Sequence, residues 1–129
     1  MDVSAGRELD ALVAERVFGW SVERQAGNSP WLVGHGRNRW TRIENHPFST
    51  DIAAAWEVVE KLQGFDTNRD EPWWSVAVFF GQPGQVCARV YACQPGWLIT
   101  DTDTVISEAH ADTAALAICR AALAAPGAA

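Results

Sequence analysis

The sequence predicts an α+β fold: a three-layer α/β/α sandwich around a mainly antiparallel sheet, in the order α-β-β-α-β-β-β-α. Three observations carry this prediction. Apolar residues recur every three or four positions in three separate stretches, near 6–20, 52–63 and 114–125. Two Pro-Gly dipeptides, Pro83-Gly84 and Pro95-Gly96, divide 73–106 into short apolar runs. No helical stretch separates those runs, so no βαβ unit demands parallel strands.

The first helix is expected over Gly6–Trp20, with Leu9, Leu12, Val13 and Val17 on one face and Arg7, Glu8, Glu15 and Arg16 mostly between them. Ser21–Pro30 ends in Gly27-Asn28-Ser29-Pro30 and reads as a loop. Trp31–Val33 and Arg39–Ile43 can pair as a hairpin across the glycine-rich turn Gly34-His35-Gly36-Arg37-Asn38. His46-Pro47-Phe48-Ser49-Thr50-Asp51 has the chemistry of a helix start, with an extended residue before proline, hydroxyls that can cap, and a carboxylate for the first turn. In the helix that follows, Ile52, Ala55, Trp56 and Val59 are expected on the buried face, Glu57, Glu60 and Lys61 face away, and Gly64 stops it.

Phe65–Pro72 is a polar loop. The strands are expected at 73–80, 86–93 and 97–106. Trp73–Phe80 is apolar in both of its alternating sets, the pattern of a strand buried on two faces, so helices are expected on both sides of the sheet. Thr100-Asp101-Thr102-Asp103-Thr104 gives the last strand one acidic face, suited to an edge. Asp112-Thr113 caps a final helix, 114–125, whose sole charge is Arg120, and residues 126–129 are a frayed end. The whole chain, 1–129, reads as one domain.

Composition excludes several classes. At 48% hydrophobic and 20% charged, the chain is neither disordered nor a stapled mini-protein. Its net charge of −6 argues against a non-specific nucleic-acid binder. Three cysteines, Cys87, Cys93 and Cys119, have no C-x-x-C spacing, so neither a disulfide scaffold nor a structural zinc site is expected, and Cys87 and Cys119 read as small buried hydrophobes. No metal and no cofactor is expected. With neither a signal-like N-terminus nor a long apolar stretch, the expected compartment is the cytoplasm.

No nucleotide-binding loop, hydrolase elbow or metalloprotease motif occurs. His35, His46 and His110 stand outside any motif; Glu108, His110 and Asp112 alternate and could line one face of an extended segment with a metal or catalytic role, but without a recognised ligand spacing the favoured reading is a solvated approach to the last helix. The unusual features are seven tryptophans and nine arginines beside the single lysine, Lys61. Segment 31–48 carries Arg37, Arg39 and Arg42 against Glu44, a local balance of +2 that leaves −8 on the remainder. Guanidinium forks beside a glycine-rich turn can meet a phosphate while an indole stacks on a base. Trp56, Trp74 and Trp20 are assigned to the scaffold, whereas Trp31, Trp40, Trp73 and Trp97 lie at strand ends or turns, where amphipathic rings line pockets and interfaces.

Three blocks resemble one known family. Gly-Arg-Glu-Leu-Asp-Ala-Leu-Val-Ala-Glu-Arg-Val-Phe-Gly-Trp at 6–20, Pro-Phe-Ser-Thr-Asp-Ile-Ala-Ala-Ala-Trp-Glu-Val-Val-Glu-Lys-Leu at 47–62 and Ala-Asp-Thr-Ala-Ala-Leu-Ala-Ile-Cys-Arg-Ala-Ala-Leu at 111–123 are similar to the phage ABA sandwich domain family, small proteins of phage and prophage genomes. The resemblance implies an α/β/α sandwich and a phage origin, and it implies no enzymatic activity. It supplies no functional residues. Individual function is therefore expected in 21–46 and 64–110, outside the three blocks.

Taken together, the expected function is a non-catalytic phage or prophage accessory protein that sequesters a small anionic, nucleotide-type ligand such as a host immune messenger. Arg37, Arg39 and Arg42 would hold phosphate, Trp40 with Trp73 or Trp97 would stack, and His35 would add a hydrogen bond. The alternative is an interaction module that binds and inhibits a host or phage protein, with the acidic remainder steering it to a basic partner. A hydrolase built on His35 or His110 ranks third. A homodimer is the default oligomer.

Overall fold

The computed structural model describes residues 5–27, 29–35, 39–63, 73–93 and 104–125. In chain order these form α1 (Arg7–Arg16), β1 (Ser21–Glu23), β2 (Leu32–Gly34), β3 (Trp40–Arg42), a 3₁₀ turn (Ile43–Asn45), α2 (Ile52–Gln63), β4 (Trp73–Phe80), β5 (Val86–Cys93), β6 (Thr104–Ala111) and α3 (Ala114–Ala124). The fold is mixed α+β, with two three-stranded antiparallel sheets, β1-β2-β3 and β4-β5-β6.

The order differs from the expected one by an extra strand. α1 stops at Arg16 because the chain swings through Gly19, at φ 72°, and the Trp20 N–H closes back on the Ala14 carbonyl at 2.9 Å. That reversal feeds Ser21–Glu23 into β1, paired to β2 as Ser21↔Gly34, Val22↔Val33 and Glu23↔Leu32. The segment expected as a loop therefore begins as an edge strand.

β4 and β5 have the predicted bounds, and their turn follows the predicted chemistry. Gly84 takes φ 81° after Pro83, and the Gln85 N–H closes the turn on the Gln82 carbonyl at 2.8 Å. β6 runs 104–111 rather than 97–106, so Glu108–Ala111 is strand rather than an approach to α3. The acidic alternation at 100–103 and the turn at Pro95-Gly96 lie outside the described residues.

Val86, Ala88 and Val90 of β5 face the helices and are buried with Ala117, Ile118 and Ala121 of α3. Leu9 and Val13 of α1, Val33, Ile43, Phe48, Val58 and Val59 belong to the same cluster. Thr113 caps α3 by accepting the Leu116 N–H, as its position predicts. Asp51, expected in the first turn after capping hydroxyls, is itself the residue that caps α2, accepting the Ala53 N–H at 2.8 Å.

Two expectations are corrected. The buried stripe of α2 is Ala55, Val58 and Val59 with Leu62 partly covered, the i, i+3, i+4, i+7 set, whereas Ile52 and Trp56 are each 54% exposed. Nor do helices cover both faces of β4-β5-β6 among the described residues. The row opposite the core carries exposed Phe79, Glu108 and His110 and half-buried Arg89, with the Arg89 guanidinium 5.1 Å from the Phe79 ring centroid. Among the described residues no helix is long and apolar enough to cross a membrane.

Candidate functional site

The β2–β3 hairpin separates the predicted ligand residues by its pleat. Leu32↔Arg42 and Gly34↔Trp40 pair on one face, Val33↔Thr41 on the other, and His35 continues the Val33 face, its N–H bonded to the Arg39 carbonyl at 3.0 Å. Trp40 and Arg42 therefore share the outer face, while His35 and Thr41 share the inner one.

On the outer face, the absence of a side chain at Gly34 makes room for an indole. A methyl placed there would sit 3.1 Å from the Trp40 ring atoms, so the ring lies directly over the glycine. Trp40 remains 45% exposed and Arg42 is exposed on the same face, whereas Arg39, opposite His35 just before β3, is exposed on the alternate row of the pleat. Across the sheet the same rows continue to Ser21 and Glu23, both exposed. The result is an exposed indole backed by the sheet, with the Arg42 guanidinium and the Glu23 carboxylate on the same face.

On the inner face, the two imidazoles are bridged by one hydroxyl. Thr41 Oγ1 lies 2.9 Å from His35 Nε2 and 3.1 Å from His46 Nε2. One hydroxyl can donate to one ring and accept from the other. Trp20 lies with its centroid 4.1 Å from that of His35 and 5.1 Å from that of His46, and Phe18 stacks on both Trp20 and Phe48. His35 is thus committed to a latch that ties the hairpin to the end of α1 and to the 3₁₀ turn, rather than offered to a ligand.

Burial, reinforced by the neighbouring His35, lowers the pKa of His46 below its ordinary 6.5, with Glu57 opposing. The unfolded chain therefore binds this proton more readily. The stabilising contribution is complete above 6.5 and is lost as pH falls through the depressed folded value. Thermal midpoints recorded between about pH 5 and 8 should fall in acid, and His46→Gln should flatten that part of the profile.

Arg37 and Trp97 lie outside the described residues, and Trp73 opens β4 in the other sheet with its side chain outside the description. Trp31, expected at a pocket, is buried. Its indole N–H donates to the Gln25 carbonyl at 3.1 Å, and Arg7 and Arg24 lie over its ring at 4.4 and 5.5 Å. Part of the arginine excess is therefore spent on covering aromatic rings.

One group escaped the sequence reading. Cys87 is half-buried on the outer face of β5, opposite His110 and beside Glu108. Its alternation within an apolar run signalled burial, and only the β5–β6 register reveals its neighbours. A groove of about 560 Å³ lined by Gln85, His110, Asp112, Leu116 and Arg120 adjoins it. Cys119, by contrast, is buried as expected, and burial pushes its thiol far up.

A family model described as the phage ABA sandwich domain matches residues 11–95, two thirds of the chain. The match takes in most of the first resembling block and the whole second block, and it ends before the third. It also runs through 21–46, so the hairpin falls within the family pattern rather than outside it. No curated protein and no solved structure matches the chain.

Proposed function

We propose that this chain, which belongs to the phage ABA sandwich domain family, is a small non-catalytic binding protein that holds a nucleotide-type anion on the outer face of its β2–β3 hairpin. The observation that carries the reading is the Trp40 indole, lying over Gly34 and 45% exposed, with Arg42 on the same face. A ring backed by the sheet presents its free face to a base, and the guanidinium supplies two parallel donors to a phosphate. Arg39, exposed just before β3, adds a second cation near the edge of the hairpin rather than on the Trp40 face. His35 serves the scaffold beneath. In an infected cell such a protein would remove a nucleotide signal of the host by holding it, with no turnover required, and its place would be the host cytoplasm.

Thermal-shift measurements against a panel of linear and cyclic nucleotides test this. At least one ligand should raise the midpoint, and Trp40→Ala should weaken its binding by about ten- to hundredfold, the range for losing one stacked base. Arg42→Lys should also weaken it, because the planar fork is lost while the charge is kept. Gly34→Ala should act at a distance by displacing the indole. No shift with any nucleotide at millimolar concentration contradicts the reading.

The protein-partner alternative draws on a different observation. Ile52 and Trp56 lie one turn apart on α2, each 54% exposed. Trp56→Ala should leave nucleotide binding unchanged if the hairpin is the site, and should impair function alone if α2 is.

A further inference from the structure

We propose that Cys87, Glu108 and His110 form a three-ligand site for a divalent transition-metal ion of the zinc type on the outer face of the β4-β5-β6 sheet. The strand register assembles it. Cys87 pairs directly with His110, and Glu108 pairs with Arg89 one step further along the same face. The three donor atoms lie within 4.8 Å of one another. Cys87 Sγ is 3.4 Å from Glu108 Oε1, and His110 Nε2 is 3.7 Å from Glu108 Oε2.

Those separations bring a thiol, an imidazole and a carboxylate within reach of one ion, although sulfur and nitrogen face different oxygens of Glu108, so the carboxylate must turn to set one oxygen against both. With zinc bonds of about 2.3 Å to sulfur and about 2.0–2.1 Å to nitrogen and oxygen, the edges of a tetrahedral site are roughly 3.3–3.5 Å. Small side-chain rotations close the remaining difference. A thiolate and an imidazole beside one carboxylate select zinc-type ions over magnesium and calcium, which prefer oxygen donors throughout.

Arg89 completes the arrangement. Its Nε–H donates to Glu108 Oε1 in a short ion pair, which fixes the carboxylate and leaves Oε2 toward His110. Without metal, the Cys87 S–H donates a hydrogen bond to Glu108 Oε1 and keeps its proton. On binding, the S–H bond breaks, its proton passes to solvent, and a sulfur–metal bond forms. No electron is transferred. Thiolate and carboxylate together neutralise a divalent ion. Three protein ligands leave a fourth position free, and His110 also lines the groove that holds Gln85, Asp112 and Arg120, so a small anionic donor has space beside the metal.

The test is a cobalt(II) titration of the reduced, chelator-treated protein, read by absorbance. Binding should produce a thiolate-to-cobalt charge-transfer band that saturates at one ion per chain. Cys87→Ser should abolish the band, and Cys93→Ser and Cys119→Ser should retain it. His110→Ala and Glu108→Gln should weaken binding more than Arg89→Ala, whose loss should cost about 10- to 100-fold in affinity. Far-UV circular dichroism confirms that each variant is folded. Absence of the band, or its survival in Cys87→Ser, overturns the proposal.

Discussion

Phe48→Ala is expected to lower the free energy of unfolding by about 3–5 kcal/mol, the range for truncating a fully buried aromatic ring. Phe48 has no exposed surface. It stacks on Phe18 with centroids 5.1 Å apart at 15°, and it lies 5.8 Å from His46 and 6.3 Å from Trp20. Removing it leaves a cavity under the latch that holds the hairpin, where three aromatic rings meet and backbone collapse is restricted. The denaturant midpoint should fall, and tryptophan emission from the folded variant should shift to the red as Trp20 gains water. Phe48→Leu should cost less because it retains most of the volume. A loss below about 1.5 kcal/mol for Phe48→Ala would show that this cluster does not anchor the hairpin.

Asp10 should give opposite results with two substitutions. It is buried on α1, and its Oδ1 accepts the Ser49 backbone N–H at 2.7 Å, while the Ser49 hydroxyl accepts the Gly6 N–H at 3.0 Å. Asp10→Ala strands a buried donor and should cost about 1–3 kcal/mol. Asp10→Asn keeps an acceptor in place and sheds the charge. Burial raises the Asp10 pKa above its ordinary 3.8, and the two hydrogen bonds from Ser49 only partly oppose that rise. A raised folded pKa means that the native state holds the proton more tightly than the unfolded chain. The stabilisation from protonation is complete below 3.8 and is lost as pH rises through the folded value. Asp10→Asn should therefore be most favourable relative to the parent at neutral pH, and its advantage should shrink on acidification through that window. Chemical denaturation at several pH values reads both effects.

Local chemistry was legible where one segment decides its own structure. The bounds of β4 and β5, the Pro83-Gly84 turn and the Thr113 cap follow from alternation, φ preference and a side-chain acceptor. What distant pairing decides was not legible. β1 is three residues long and exists because Gly19 returns the chain to β2, a contact no periodicity announces. Ile52 and Trp56 are as apolar as the buried residues of α2, and only packing chooses which stripe turns inward. The positive segment 31–48 was visible as charge, but the pleat sends Trp40 and Arg42 outward and His35 inward, so the predicted cluster becomes a platform with a latch beneath it. Asp10 gave no signal at all, since a carboxylate in the first turn of a helix ordinarily faces water. Cys87, Glu108 and His110 are more than twenty positions apart at their extremes and meet only through register.

The nucleotide platform is tested most directly by following tryptophan indole N–H resonances while the best ligand of the thermal-shift panel is added. The Trp40 signal should move saturably, Trp20 and Trp31 should stay in place, and the response should disappear in Arg42→Ala. A ligand that stabilises the protein without moving Trp40, or that moves only resonances remote from the hairpin, would contradict it.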